Sequence, residues 1–98
     1  AHPNAQIHLL VFTLVLIAGF YFGISRMEWI VIVLCSAGVF AAEAANTALE
    51  YLTDLVSPDY HPLAGKAKDA AAAAVLLTAI GAAIVGQLVF LPHVLELF

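Results

Sequence analysis

The sequence is poor in charge: of 98 residues only 10% are Asp, Glu, Lys or Arg, and just three, Arg26, Lys66 and Lys68, are basic. No cationic surface remains that could follow a phosphate backbone, which excludes nucleic-acid binding as a principal role. Charged residues are missing between His8 and Arg26, between Glu28 and Glu43, and throughout residues 70–95. Cysteine is nearly absent too. Cys35, alone in an apolar run, can close no intrachain disulfide and has no CxxC or histidine partner beside it, so it reads as a packing thiol. Neither a Walker A motif nor GxGxxG occurs. There is no basic n-region or A-x-A cleavage site of a signal peptide, and the sequence opens at Ala1 without an initiator methionine, so residues preceding it are expected to have been removed or left out.

What fills the chain instead is apolar: 64% of residues, with a mean hydropathy of +1.06. A water-soluble domain this small needs far more polar surface. The uncharged gaps therefore predict bilayer-spanning helices, and the fold class is all-α, integral membrane, three transmembrane helices in one domain over residues 1–98. The spans are predicted at roughly 5–24, 29–56 and 63–91. Gly19 and Gly23 form a small-xxx-small pair expected to let a neighbouring helix approach, and Trp29 is expected to anchor at the headgroup level. Ser57-Pro58-Asp59-Tyr60-His61-Pro62 breaks the chain between the second and third spans, with Pro62 suited to a first helical turn. Pro92 and His93 are expected to mark the exit of the third span. Lys66 and Lys68 beside the second connection direct that loop and the start of the chain to the cytoplasm, and the first connection and Phe98 outward.

The second span carries polar residues that an apolar helix should not have. Glu43, Asn46, Glu50 and Asp54 fall at i, i+3, i+7 and i+11, on one face. Counted from Trp29 at about 1.5 Å per residue, Glu43 lies within the membrane and Glu50 near its cytoplasmic edge. An acidic side chain in hydrocarbon costs roughly 2.5–3.5 kcal/mol on insertion scales, which makes Glu43 a functional candidate. The third helix opens with Gly65-Lys66-Ala67-Lys68-Asp69, where a cation, free N–H groups and the positive end of a helix dipole coincide. Facing carboxylates, such an end suits a phosphate chain with a divalent cation, and hard oxygen donors favour magnesium. Tyr60 and His61, in the loop beside it, are either interfacial anchors or nucleotide contacts.

Glu43-Ala-Ala-Asn46-Thr-Ala-Leu-Glu50, the proline-broken loop with Asp59-Tyr60-His61, and Ala64-Gly65-Lys66-Ala67-Lys68-Asp69 resemble the prokaryotic diacylglycerol kinase family, which includes the undecaprenol kinases. The resemblance covers nearly the whole chain. It implies a homotrimeric helical bundle in the bacterial inner membrane that transfers the γ-phosphoryl group of ATP to the hydroxyl of a membrane lipid, diacylglycerol or undecaprenol, at the cytoplasmic surface, with Mg2+. By motif, Glu43 matches the general base, Glu50 a magnesium-binding glutamate, and Asn46 a polar active-site residue. Lys68 and Asp69 match the pair that contacts the ATP phosphates, and Asp59, Tyr60 and His61 a nucleotide-contacting stretch.

Two departures accompany the resemblance. The family's amphipathic surface helix before the first span is expected to be absent from these 98 residues. Where a second metal-binding glutamate is expected, in a pattern like E-x-N-x-R-I-H, the chain reads His2-Pro3-Asn4-Ala5-Gln6-Ile7-His8. An imidazole is a poor magnesium ligand, so a weakened member is expected unless another carboxylate, such as Asp54, substitutes. The alternative from a different class is a non-catalytic membrane helix-bundle assembly or proton-relay protein, whose carboxylates merely pair across a bundle.

Overall fold

The computed structural model describes residues 3–98, with side chains from Ala5 onward, so His2 lies outside the described residues. Every regular element is helical: α1 (Pro3–Phe22), α2 (Arg26–Val56) and α3 (Pro62–Leu95). At about 1.5 Å per residue their 20, 31 and 34 residues rise about 30, 46 and 51 Å, enough for each to cross a hydrocarbon core of about 30 Å. All three are long and apolar enough to span a membrane.

The turns between helices follow from local chemistry. α1 stops at Gly23, whose φ of 61° is left-handed, and the Ile24 N–H reaches back to the Gly19 carbonyl at 3.1 Å, closing the helix end. Two residues later α2 starts in a capping box. The Ser25 hydroxyl accepts from the Glu28 N–H at 3.1 Å, and the Ser25 N–H donates to Glu28 Oε1 at 2.9 Å. α3 opens behind His61, whose Nδ1 accepts from the Leu63 N–H at 3.1 Å, with Pro62 in the first turn.

Side-chain pairs set the register. Along α1 and α2, Phe20 meets Trp29 with ring centroids 5.0 Å apart, Phe12 meets Phe40 edge-on at 5.7 Å, and His8 meets Glu43, an antiparallel order. Along α2 and α3, Glu28 meets His93 at one end and Asp54 meets Lys68 at the other, again antiparallel. Near the first connection, Ile24, Ile32 and Val89 are buried beneath Phe22, Trp29 and Phe90. This is the apolar core, and it occupies the end of the molecule opposite the loop of residues 57–61.

The structure separates the roles of the two glycines and carries the third helix past Pro92. Gly19 does lie under a close neighbour, the Trp29 indole, so that a Cβ there would come 2.5 Å from Trp29 Cη2. Gly23, in contrast, faces open space and serves the turn rather than packing. Trp29 is thereby folded inward over Gly19. The third helix does not exit at Pro92: it continues to Leu95, because a proline this near the C-terminus forfeits only one intrahelical bond, and its carbonyl still accepts from the Glu96 N–H at 3.1 Å. That extra turn brings His93 Nε2 to 3.1 Å from Glu28 Oε2. Cys35 is half-buried.

Candidate functional site at the loop end of the helices

Where α1, α2 and α3 face one another near the loop end, they enclose a cavity of about 310 Å3. The helical periodicity of α2 turns Glu43, Asn46, Thr47 and Glu50 toward it, α1 contributes His8, and α3 supplies small and apolar wall residues, Ala72, Val75 and Ala79 among them. Alanines in α3 leave room for the longer polar side chains opposite. Glu43 is 9% exposed, the one buried charged residue among those described.

Its nearest polar neighbour is one that motif reasoning left without a role. His8 Nδ1 lies 2.7 Å from Glu43 Oε1. The distance is that of an ion pair, but the ring N–H is not aligned on the oxygen, and Nδ1 remains without a hydrogen bond. Glu43 Oε2 and Asn46 Oδ1 are likewise buried and unsatisfied. Three orphaned polar atoms around one small cavity form a site prepared for something polar, since each unpaired buried group costs about 1–3 kcal/mol. Asn46 Nδ2 donates to Glu50 Oε1 at 3.4 Å, a weak bond one helical turn along the same face.

Lys68 reaches α2 not at Glu50 but one turn beyond it, at Asp54, with Nζ 2.5 Å from Oδ1. Asp54, more than half exposed, is thus engaged by the lysine and does not line the cavity. Asp69 is exposed on α3, and Asp59 and Tyr60 project from the loop into the surroundings. The His61 ring is taken up in capping α3 and borders a second, mainly apolar cavity with Leu52, Val56 and Leu63. The structure therefore brings Glu43, Asn46 and Glu50 together, sets Lys68 at their rim through Asp54, and leaves Asp59, Tyr60, His61 and Asp69 outside the cavity wall. A histidine one turn inside an apolar span is costly in a membrane, and that cost was the signal in the sequence that could have singled out His8.

Beside the cavity lies an apolar groove of about 530 Å3 between the three helices, with His8 and Ala79 bordering both spaces. Phe12, Val15, Val39, Phe40 and Phe90 form much of its wall. A polar pocket with hard oxygen donors, next to an apolar slot between the helices, suits a molecule with one hydroxylated end and a hydrocarbon body.

Among the described residues no three His, Cys, Asp or Glu side chains cluster as a metal site. The Glu50 carboxylate and the free Asn46 Oδ1 nevertheless offer hard oxygens, and magnesium characteristically takes one or two carboxylates and completes its shell with water and phosphate oxygens. The residues present fit that ion.

The family model for prokaryotic diacylglycerol kinase matches residues 1–90. The chain is similar to an undecaprenol kinase of Bacillus subtilis, 46% identical over 89 residues, covering 91% of this chain and 72% of that protein. It is 43% identical to a diacylglycerol kinase of Synechocystis over 95 residues, which is 96% of this chain and 54% of the relative. A diacylglycerol kinase of Escherichia coli is 38% identical over 55 residues, 56% of this chain and 45% of that protein. The chain thus spans about half the length of the two diacylglycerol kinases. No solved structure matches significantly. With a buried carboxylate on a helix long and apolar enough to span a membrane and a family match across nearly its whole length, the chain belongs to the prokaryotic diacylglycerol kinase family, a family of membrane lipid kinases.

Proposed function

We propose that this protein transfers the γ-phosphoryl group of ATP to the terminal hydroxyl of a membrane lipid at the cytoplasmic face of the bacterial inner membrane. The observation that carries the reading is Glu43: a buried carboxylate, its Oε2 unsatisfied, in a polar cavity that shares wall residues with an apolar groove. A lipid lying in the groove would bring its hydroxyl within hydrogen-bond reach of that oxygen, which is the requirement for general-base action. The lipid O–H bond breaks as Glu43 Oε2 takes the proton. The lipid oxygen forms its bond to the γ-phosphorus while the bond from that phosphorus to the β-bridging oxygen breaks, leaving ADP and a phospholipid.

Charge neutralisation and positioning supply the rest of the rate. Glu50, with Asn46, would hold Mg2+, which offsets the charge of the transferring phosphoryl group when bound. Lys68, at the first turns of α3, supplies a cation for the phosphates at a helix N-terminus, and Asp54 keeps it at the cavity rim. Asp59, Tyr60, His61 and Asp69 complete the reading as nucleotide contacts from the exposed side. In a homotrimer the outer faces of α1 and α3, where Leu10, Leu14, Leu77 and Leu88 are exposed, would be covered by neighbouring copies as well as by lipid.

Purified protein in lipid or detergent is expected to move labelled phosphate from Mg-ATP to undecaprenol or diacylglycerol, assayed side by side. Glu43→Gln should abolish transfer without changing the oligomer. Absence of transfer from the parent protein to either lipid overturns the reading, and so does a fully active Glu43→Gln variant.

A further inference from the structure

Beyond Glu43 itself, we infer that His8 is the positioning residue for that carboxylate: its imidazole holds Oε1 so that Oε2 is left as the oxygen that receives the lipid proton. The inference rests on the kinase reading above and adds a second residue, on a different helix, to its acid–base machinery.

A glutamate side chain turns freely about its last torsion unless one oxygen is fixed. Among the groups near Glu43, His8 is the one within ion-pair distance, 2.7 Å from Oε1. Asn46, on the same face of α2, directs its Nδ2 to Glu50 Oε1, and its buried, unpaired Oδ1 is an acceptor, which cannot donate to a carboxylate. Among the described residues, α3 contributes no titratable side chain to the cavity wall, α2 contributes Glu43 and Glu50, and α1 contributes His8. The Lys68–Asp54 pair sits farther along the helices. Among the described residues His8 is therefore the cavity-lining group that can place positive charge against the buried Glu43 carboxylate, and the one seen at ion-pair distance from it.

Its location adds an independent argument. The ring borders both the polar cavity and the apolar groove, and so lies between Glu43 and the space that suits a hydrocarbon body. Nδ1 is close to its partner but misaligned, which is the common state of catalytic contacts before substrate tightens them. Aligned in that way, an Nδ1–H tautomer donates to Oε1 and leaves Oε2 to receive the lipid proton.

The test uses three variants of the whole protein. His8→Phe keeps a ring and removes the donor; kcat should fall roughly tenfold to a hundredfold, with KM for Mg-ATP and for lipid unchanged within about twofold. His8→Asn places an amide NH2 where Nδ1 was and should recover most of kcat while removing one ionisation from the acid limb of its pH profile. His8→Gln, whose NH2 falls at the Nε2 position, should not recover it. A separate readout needs no turnover: the imidazole 15N signals of the parent should report the Nδ1–H tautomer, and Glu43→Gln should abolish that preference. Undiminished kcat in His8→Phe, an unaltered acid limb in His8→Asn, or no tautomer preference in the parent overturns the inference. Should the Phe variant fail to fold, the Asn and Gln pair decides it. A parent inactive toward both lipids defeats the kinase reading instead, and the tautomer measurement then tests the pairing alone.

Discussion

At the scale of the residue, the costliest groups are the informative ones. Glu43 is held in a membrane-spanning segment at an insertion penalty of roughly 2.5–3.5 kcal/mol, and two buried atoms beside it are unsatisfied. Nothing in the packing of three apolar helices calls for such groups. Glu50 differs from Glu43 in having a partner on its own helix, Asn46, which steers its carboxylate toward the cavity mouth. Replacing Glu50 with Gln should raise the magnesium concentration for half-maximal transfer by roughly tenfold or more, with lipid KM little changed, because a hard anionic ligand becomes a neutral amide. A magnesium titration of both proteins checks this, and superimposable curves would reassign Glu50 to packing. Of the site residues, Glu43, Asn46 and Glu50 were legible from spacing alone, since a period of 3.6 puts them on one face whatever lies opposite. His8 was not, because its partner is thirty-five positions away and only the register of α1 on α2 brings them together.

At the scale of the element, helix ends decide what the helices can reach. The two glycines at the end of α1, equivalent by spacing, have separate duties. Gly19 is covered by the Trp29 indole, and Gly23 adopts a left-handed backbone in open space. Gly23→Ala should cost about 1–2 kcal/mol through backbone strain. Gly19→Ala should cost about 1–3 kcal/mol by overpacking, and trimming the indole with Trp29→Phe should relieve part of it. Unfolding of the variants in detergent measures both; relief of Gly23→Ala by the same Trp29 change would contradict the assignment. At the other end of the molecule the loop of residues 57–61 was readable as a break, because two prolines and turn formers admit no helix there. Pro92 misled for the same reason. Within the last turn of α3 a proline removes a bond without ending the helix, and the extra turn delivers His93 to Glu28.

At the scale of the whole molecule, the two ends are built differently. The first connection is packed with Ile24, Ile32, Val89 and aromatic rings and closed by the Glu28–His93 contact. The loop end is hollow and polar. Large apolar side chains such as Leu14, Phe20, Leu77 and Leu88 remain exposed along the helices, as expected where lipid or another copy is the solvent. The proposed orientation puts the hollow end in the cytoplasm. In a Cys35→Ser background, a membrane-impermeant maleimide should label Met27→Cys in intact cells and Asp59→Cys only after permeabilisation. The reverse pattern would place the cavity outside, away from cellular ATP.

The amino-acid sequence by itself determined that there are three membrane-spanning helices and that one of them carries carboxylates on a single face, because hydrophobicity and helical period are properties of the chain taken locally. Only the tertiary structure decided which groups meet: that Lys68 pairs with Asp54 rather than Glu50, and that His8 closes on Glu43. Those contacts depend on how far one helix slides and turns against the next. That offset is set by packing across the whole interface, by Phe12 on Phe40 and Trp29 on Gly19, and no stretch of residues read alone contains it.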